Sequence, residues 1–157
     1  MHMRAGISCP RSPKSSERWE GLVPIERLNP AGMHSNPAYS QGVCVPATAR
    51  YIYVGGQNGI DASGRLVEGD LAAQTAQALA NLARVLQAGG AAPEDLISLT
   101  VYLVGDADLR AAFGAWAGFW KDRGAPPIVN VLRVAGLANA GFLIEVEAIA
   151  AIVENGQ

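Results

Sequence analysis

Apolar residues at helical spacing mark one long helix after residue 70. Asp70 is a good N-cap, because its carboxylate can accept hydrogen bonds from the first free backbone N–H groups. The pair Gly89-Gly90 supplies the left-handed stop at the other end. The predicted buried stripe is Leu71, Thr75, Ala78, Leu79, Leu82, Val85 and Leu86, and the predicted outward side chains are Gln74, Gln77, Asn81, Arg84 and Gln87.

A second helix is predicted to begin at Asp106 or Asp108 and to end at Lys121. Gly124 and the following proline pair stop it, because a proline cannot continue a helix. The apolar residues that fall on one side of this helix, and that we expect in the core, are Leu109, Phe113, Trp116 and Trp120.

Alternation of apolar and polar residues predicts a half-buried strand over residues 96–104. Its apolar positions are Ile97, Leu99, Val101 and Leu103, and its polar positions are Ser98, Thr100 and Tyr102. Residues 42–45 and 50–54 are predicted as a hairpin whose second strand ends in a glycine-rich loop at 55–59. Residues 65–67 form a short extension, and further strands are predicted over residues 128–134 and 142–153.

The predicted order of elements is β-β-(β)-α-β-α-β-β. Such an order indicates an α+β fold in which two helices pack on one face of a mixed sheet. The other face would carry Ser98, Thr100, Tyr102, Glu145 and Glu147. Because that face is only half polar, we expect it to meet another subunit.

Residues 1–22 have no apolar period, and we expect a flexible tail there, followed by a single domain over residues 23–157. Four of the 12 basic residues and only one of the 14 acidic residues precede Trp19, so the folded body is acidic. The tail lacks the continuous apolar stretch of a secretory signal. It is either a basic arm or an extension that does not belong to the natural protein.

Composition narrows the function classes. Half of the residues are apolar, yet no run reaches the ~18 that a membrane span needs, so we expect a cytoplasmic protein with no membrane partner. The net charge of −2 argues against a nucleic-acid partner. Two cysteines, Cys9 and Cys44, and two histidines, His2 and His34, are too few to suggest a disulfide scaffold, a metal site or a Ser–His–Asp triad.

Several segments, taken in order, resemble the RidA/YjgF family of reactive-intermediate deaminases. The resemblance runs from about Arg27 to Val153. It is carried by Asn36-Pro37-Ala38-Tyr39-Ser40-Gln41-Gly42-Val43, by Val54-Gly55-Gly56-Gln57, by Asp70-Leu71-Ala72-Ala73-Gln74, by Asp95-Leu96 and above all by Ile144-Glu145-Val146-Glu147-Ala148-Ile149-Ala150.

The resemblance implies a chorismate-mutase-like α+β fold that assembles as a homotrimer around a central β-barrel. It implies three small-molecule clefts between subunits, in which enamines or imines are hydrolysed to a carbonyl product and ammonia without a cofactor. Within the family pattern, Glu145 is the carboxylate that holds the hydrolytic water and Tyr39 lines the neighbouring cleft. Gly56 and Gln57 match backbone that approaches the ligand. The alternatives are a paired strand carboxylate, an interface tyrosine and a plain tight turn.

Three polar positions of the family site are replaced in this chain. Val129 stands where the family has an arginine that clamps the substrate carboxylate, Val131 stands where it has a cysteine, and Gly55 replaces a serine. Arg133 lies four residues after Val129 on the same strand face. If the last two strands form a hairpin, Arg133 either replaces the lost guanidinium or pairs with a glutamate such as Glu145.

The sequence therefore supports a hydrolase of imines or enamines that need little carboxylate clamping. The alternative is a non-catalytic trimer that binds a small molecule and regulates. A ribonuclease, an activity sometimes attached to the family, is opposed by the acidic body and by the lack of a histidine or lysine acid–base pair.

Overall fold

The computed structural model describes residues 24–153, in which eight helices and strands succeed one another. The predicted tail over residues 1–22 lies outside this range. The strands are β1 (Glu26–Leu28), β2 (Gly42–Cys44), β3 (Arg50–Asn58), β4 (Leu96–Val104), β5 (Ile128–Val134) and β6 (Ile144–Ile152), and the helices are α1 (Leu71–Ala88) and α2 (Leu109–Trp120). A single 3₁₀ turn, Pro93–Asp95, leads into β4.

Four strands form a mixed sheet in the order β3-β6-β4-β5. Only β4 and β5 run parallel, since β6 is antiparallel to both of its neighbours. Both helices pack against one face of this sheet, and the core lies between the two layers. The predicted α+β fold with its helices on one side is confirmed. The fully buried centre includes Leu82, Leu86, Leu99, Leu103, Ile144 and Val146.

Helix α1 begins where the sequence predicts. The Asp70 carboxylate accepts hydrogen bonds from the backbone N–H groups of Ala72 and Ala73 at 3.0 and 3.2 Å. Two of its side chains depart from the predicted stripe. Gln74, predicted to face outward, is only 3% exposed, whereas Val85, predicted to be buried, is 36% exposed. The polar character of Gln74 led to the wrong prediction, because its side-chain amide forms hydrogen bonds with backbone groups and can therefore be buried.

Helix α2 begins after Asp108, whose carboxylate accepts a hydrogen bond from the backbone N–H of Arg110. Trp116 and Trp120 are buried as predicted, and their rings stack at 5.2 Å between centroids. Leu109 and Phe113 are not in the core: they are 42% and 52% exposed. These two side chains border an opening between α2 and the sheet.

Pairing of the first strands differs from the prediction. β2 does not form a hairpin with β3; it pairs antiparallel with β1, a three-residue strand that the sequence pattern did not reveal. The predicted extension at 65–67 makes only an isolated bridge between Ile60 and Leu66. Short strands of this kind carry too few alternating positions for sequence periodicity to find them.

The register of β4 contains one irregularity near its start. A shift between Leu96 and Ser98 places Leu96 in the core in place of Ile97, which is half-buried. Beyond that shift the predicted alternation holds. Thr100 pairs with Glu147 and Tyr102 with Glu145, so these four side chains share the face of the sheet that carries no helix. We call this side of the sheet the outer face.

Candidate functional site

The carboxylate of Glu145 lies on the outer face directly over the backbone of Gly56. Strand β6 pairs with β3 there, and the register shifts between Val54 and Gln57. A Cβ atom built on Gly56 would lie 2.6 Å from the carboxyl carbon of Glu145. A side chain at this position would therefore displace the Glu145 carboxylate, which occupies the space above the glycine.

The two glycines of this segment are not equivalent. A Cβ atom at Gly55 would meet nothing within 4 Å, in contrast to one at Gly56. Both lie inside β3, at an irregularity of the strand, and not in a loop that follows it as predicted. The side-chain amide of Gln57 donates to the carbonyl oxygen of Gly55 at 3.1 Å, which steadies the same irregularity.

Tyr102 stands between two carboxylates on the outer face. Its hydroxyl donates to Oε1 of Glu147 at 2.7 Å. This hydrogen bond is the main reason why the pKa of Tyr102 is raised above its ordinary value, with smaller contributions from burial and from the charges of Glu147 and Glu145. The Glu147 carboxylate is thus held by the phenol of Tyr102. Tyr102 stays neutral and keeps a proton beside Glu145 well above neutral pH.

A cavity of about 570 Å³ opens on the opposite, helix-covered side of the sheet. Its walls are apolar side chains of the sheet and of both helices, with Val129 and Val131 from the edge strand β5. Leu109 and Phe113, the two exposed side chains of α2, also line it. Sequence reasoning missed two polar residues of this cavity, Asn36 and Arg110. Arg110 follows directly after the predicted stripe residue Leu109, and Asn36 opens the segment that contains Tyr39.

Tyr39 lines the cavity because the segment around it is tied down on both sides. The indole N–H of Trp116 donates to the carbonyl oxygen of Ala38 at 3.3 Å. The hydroxyl of Ser40, which is 2% exposed, donates to the carbonyl oxygen of Pro126 at 2.6 Å. A loop residue thereby gains a fixed position against α2 and β5.

The predicted site residues separate into two groups within one protomer. Val129 pairs with Leu99 and Val131 with Val101, and these residues line the cavity under the helices together with Tyr39. Glu145 and Gly56 lie on the outer face. Because neighbouring residues of paired strands point to the same side of a sheet, the two groups are on opposite sides of one sheet.

Arg133 joins neither group. Strand β4 lies between β5 and β6, so the last two strands do not form the hairpin that would bring Arg133 to Glu145. Its guanidinium donates instead to the carbonyl oxygens of Gly105 and Ala107, at 2.5 and 3.2 Å. The hairpin on which the predictions for Arg133 depended is therefore wrong, and within this protomer the guanidinium is held by backbone carbonyls. The residue holds the loop between β4 and α2.

Within residues 24–153, no group of three or more histidine, cysteine, aspartate or glutamate side chains could hold a metal ion. Neither helix in that range is long and apolar enough to cross a membrane.

Comparison with known proteins identifies relatives of this chain. A family model described as Endoribonuclease L-PSP matches residues 31–152. The chain is 41% identical over 116 residues to the 2-iminobutanoate/2-iminopropanoate deaminase of Rattus norvegicus, which covers 72% of this chain and 79% of the relative. It is 35% identical over 113 residues to the protein of the same name from Homo sapiens, with 71% and 78% covered.

Solved structures give the same grouping. The fold is similar to that of YyfB from Yersinia pestis, described as a protein of unknown function of the conserved Rid protein family. The TM-score is 0.74 at 34% identity, and the match covers 82% of this chain and 98% of that one.

Proposed function

Because this chain belongs to the RidA/YjgF family, we propose that it is a hydrolase that deaminates a reactive imine or enamine without a cofactor. Two relatives that carry the name of an imine deaminase support this proposal. The observation that carries it is the placement of the Glu145 carboxylate directly over Gly56, in the space that a side chain there would fill.

The reaction needs one water molecule, and both of its protons end on nitrogen. Water adds to the imine carbon, and a carboxylate that accepts its first proton makes the oxygen a better nucleophile. That proton passes to nitrogen and gives a carbinolamine. The carboxylate then accepts the hydroxyl proton of the carbinolamine and delivers it to nitrogen as the carbon–nitrogen bond breaks, so a carbonyl compound and ammonia leave. Glu145 is the group that would accept and return both protons. An enamine enters the same route after it takes up a proton at carbon.

We place the complete site between two subunits of a homotrimer whose sheets line a central β-barrel. The separation of the predicted residues supports this placement. Glu145 and Gly56 lie on the outer face, whereas Tyr39, Val129 and Val131 line the cavity on the other side. One protomer cannot bring the two groups to one substrate molecule, but the outer face of one protomer can approach the β5 edge of its neighbour.

The apolar cavity indicates what the substrate carries besides its imine. Val129 and Val131 offer methyl groups where the family pattern has a cation and a thiol. Their surroundings favour an apolar substituent over a short charged one. The proposed substrates therefore have a larger apolar part than 2-iminopropanoate.

Ammonia release tests the proposal. Imines generated from a panel of small, branched and aromatic amino acids are mixed with the wild-type protein, with Glu145→Gln and with Glu147→Gln. Glu147→Gln is the matched control, because Glu147 lies two residues away on the same face and its substitution removes the same charge. We expect Glu145→Gln to lose at least about 100-fold in rate, the range of a lost general base, and Glu147→Gln to lose much less. Equal rates for wild type, Glu145→Gln and buffer across the panel would exclude the hydrolase.

The alternative is a trimer that binds a small metabolite without turning it over. The absence of a cationic side chain at residue 129 favours it, because the family's carboxylate clamp is missing there. Calorimetry with 2-oxo acids separates the two functions: a regulator binds them while no imine of the panel is consumed. A hydrolase binds them and is inhibited by them.

RNA cleavage, which the printed description of the family model suggests, is not the function we propose. The outer face presents Glu145 and Glu147, whose charges repel phosphates. Incubation of purified protein with labelled RNA, with and without Glu145→Gln, tests this directly. Cleavage that depends on the protein would contradict the assignment.

A further inference from the structure

The apolar cavity contains a small set of unused hydrogen-bond donors. Four of its lining residues have polar side chains: Asn36, Tyr39, Thr75 and Arg110. The hydroxyl of Thr75 is already engaged, since it donates to the carbonyl oxygen of Leu71 at 2.6 Å. Within residues 24–153, the amide nitrogen of Asn36, the hydroxyl of Tyr39 and the guanidinium of Arg110 have no partner.

Two of these donors belong to residues whose backbone is fixed. The side-chain oxygen of Asn36 accepts a hydrogen bond from the backbone N–H of Ala38 at 2.8 Å, which orients the amide and leaves its NH₂ group available as a donor. Arg110 lies in the first turn of α2, where its own backbone N–H donates to the capping carboxylate of Asp108 at 2.9 Å. A preorganised backbone lowers the entropy lost when the side chains close on a ligand.

We propose that Arg110, assisted by Asn36 and Tyr39, binds the carboxylate of a 2-imino acid whose branched or aromatic side chain fills the cavity. This inference rests on the proposed function and names the substrate class of the same site. The arginine missing from β5 is thus replaced by one from α2, on the other wall of the cavity.

The chemistry of the three side chains fits an anionic head group. All three present donors, and a guanidinium binds a carboxylate through two parallel hydrogen bonds. None of the described residues that line the cavity is acidic, so no carboxylate of that lining competes for the cation. Val131, 49% exposed, and Phe113, 52% exposed, border the cavity and gain apolar contact when a ligand covers them.

The size of the cavity favours a substrate of more than three carbons. A volume of about 570 Å³ falls in the range of roughly 300–1,000 Å³ that is usual for sites of drug-sized ligands. An imino acid of three carbons leaves most of that space to water. A leucine- or phenylalanine-derived imino acid buries more apolar surface and is held more tightly, at roughly 25 cal/mol for each Å² buried.

Binding of unreactive 2-oxo acids tests the proposal separately from catalysis. Calorimetry compares 4-methyl-2-oxopentanoate, phenylpyruvate and pyruvate, and also the amide of 4-methyl-2-oxopentanoate, which keeps the shape but lacks the charge. The proteins are the wild type, Arg110→Gln, Arg110→Lys and Arg84→Gln. Arg84 is an exposed arginine of α1 that does not line the cavity and is the matched control.

We expect Arg110→Gln to weaken binding of the two larger acids about 10- to 100-fold, the usual effect of losing a charged hydrogen-bond partner. Arg110→Lys restores part of the loss, the amide binds equally to all four proteins, and Arg84→Gln behaves as wild type. Pyruvate binds more weakly than either larger acid. Equal binding of the acids to wild type and Arg110→Gln overturns the proposal, and so does an equal loss for acid and amide.

The oligomeric mass of Arg110→Gln completes the test. If the variant alone loses its assembly, Arg110 is a subunit contact and the proposal is wrong. Failure of the deaminase leaves a different signature: the larger acids still bind through Arg110, and no ammonia is released from any imine. Release of ammonia with the same kcat/KM in wild type and Arg110→Gln overturns the role of Arg110 while the deaminase stands.

Discussion

The Glu145 carboxylate fills the space that a side chain at residue 56 would need. A Cβ atom on Gly56 would lie 2.6 Å from the carboxyl carbon of Glu145, a separation at which one of the two groups must move. The irregular register of β3 opposite β6 and the strand position of Glu145 are thus parts of one arrangement. Gly56 therefore leaves open the space in which the Glu145 carboxylate stands on the outer face.

Gly56→Ala should displace Glu145 without removing it. A misplacement of about 1 Å in a catalytic group can cost roughly 100-fold in rate, so we expect Gly56→Ala to lower the kcat of imine hydrolysis by about 10- to 100-fold. Gly55→Ala is the control, because its new methyl group meets nothing within 4 Å. Steady-state ammonia release from both variants checks this. A normal kcat for Gly56→Ala would show that the position of Glu145 is unimportant to the reaction.

Val129→Arg should change which imines are consumed. The new guanidinium projects from edge strand β5 into the cavity, where it can bind the carboxylate of a short imino acid. We expect at least about a tenfold gain in kcat/KM for 2-iminopropanoate, the effect of one added charged hydrogen bond. Activity on branched and aromatic imines should fall as the cavity fills. Val129→Leu, which adds bulk without charge, should show only the second effect, and unchanged selectivity in Val129→Arg would contradict the assignment of this cavity to the substrate.

The sequence predicts the long elements of the fold well, because each has enough periodic positions to be recognised. Helix α1 with its Asp70 cap and the face shared by Tyr102 and Glu145 are confirmed. The errors lie where tertiary contacts override local pattern. β1 is too short to have a period, and Gln74 is buried although it is polar.

The candidate site was less predictable than the fold. Periodicity shows which face of a strand a side chain is on, but it does not show which residues of other elements lie beside it. Alternation correctly put Val129 and Arg133 on one side of β5. It could not show that β4 separates β5 from Glu145, nor that the guanidinium of Arg133 turns to the backbone of a loop. Arg110 gave no sequence signal because it sits beside the apolar stripe, at the mouth of a cavity that exists only in three dimensions.

Replacing Gln74 should lower the stability of the fold. Its amide nitrogen donates to the carbonyl oxygen of Gly141 at 3.0 Å, and its amide oxygen accepts from the backbone N–H of Leu143 at 2.9 Å. Gln74→Leu leaves two backbone groups at a part-buried position without their partners, which should lower the free energy of unfolding by about 1–3 kcal/mol. Urea denaturation at one fixed protein concentration measures this. Gln87→Leu, on the exposed side of the same helix, should change it by less than about 0.5 kcal/mol, and equal effects would contradict the role of Gln74.

Tyr102 should make the stability of the fold depend on pH in the alkaline range. The Glu147 carboxylate that accepts its proton raises the pKa of Tyr102 above its ordinary 10.0. A raised pKa in the folded protein stabilises the fold fully below the ordinary value, and this contribution is lost as the pH rises through the raised one. The stability advantage of wild type over Tyr102→Phe should therefore shrink above pH 10.

Absorbance at 295 nm identifies the group responsible. The titration step that is missing in Tyr102→Phe should move to lower pH in Glu147→Gln, because the main cause of the shift is removed. Glu145→Gln should move the same step less, since its charge is the smallest of the contributions. An unchanged step in Glu147→Gln would mean that the Tyr102–Glu147 hydrogen bond does not persist in solution.

Tyr53 should lie in the interface of the proposed trimer. It is 75% exposed in the single protomer and pairs with Ile149 on the outer face, where its neighbours along the strands include Tyr51, 41% exposed. Light scattering should give wild type a mass of three times 16.4 kDa.

Tyr53→Lys should lower that mass and abolish ammonia release together, because a charge without a partner is costly in a buried interface. Val85→Lys, on the outer side of α1 and 36% exposed, should leave both unchanged. A wild-type mass of 16.4 kDa would mean that the protein is a monomer. Glu145 and the cavity would then stay on opposite sides of one sheet, and a site between subunits could not form.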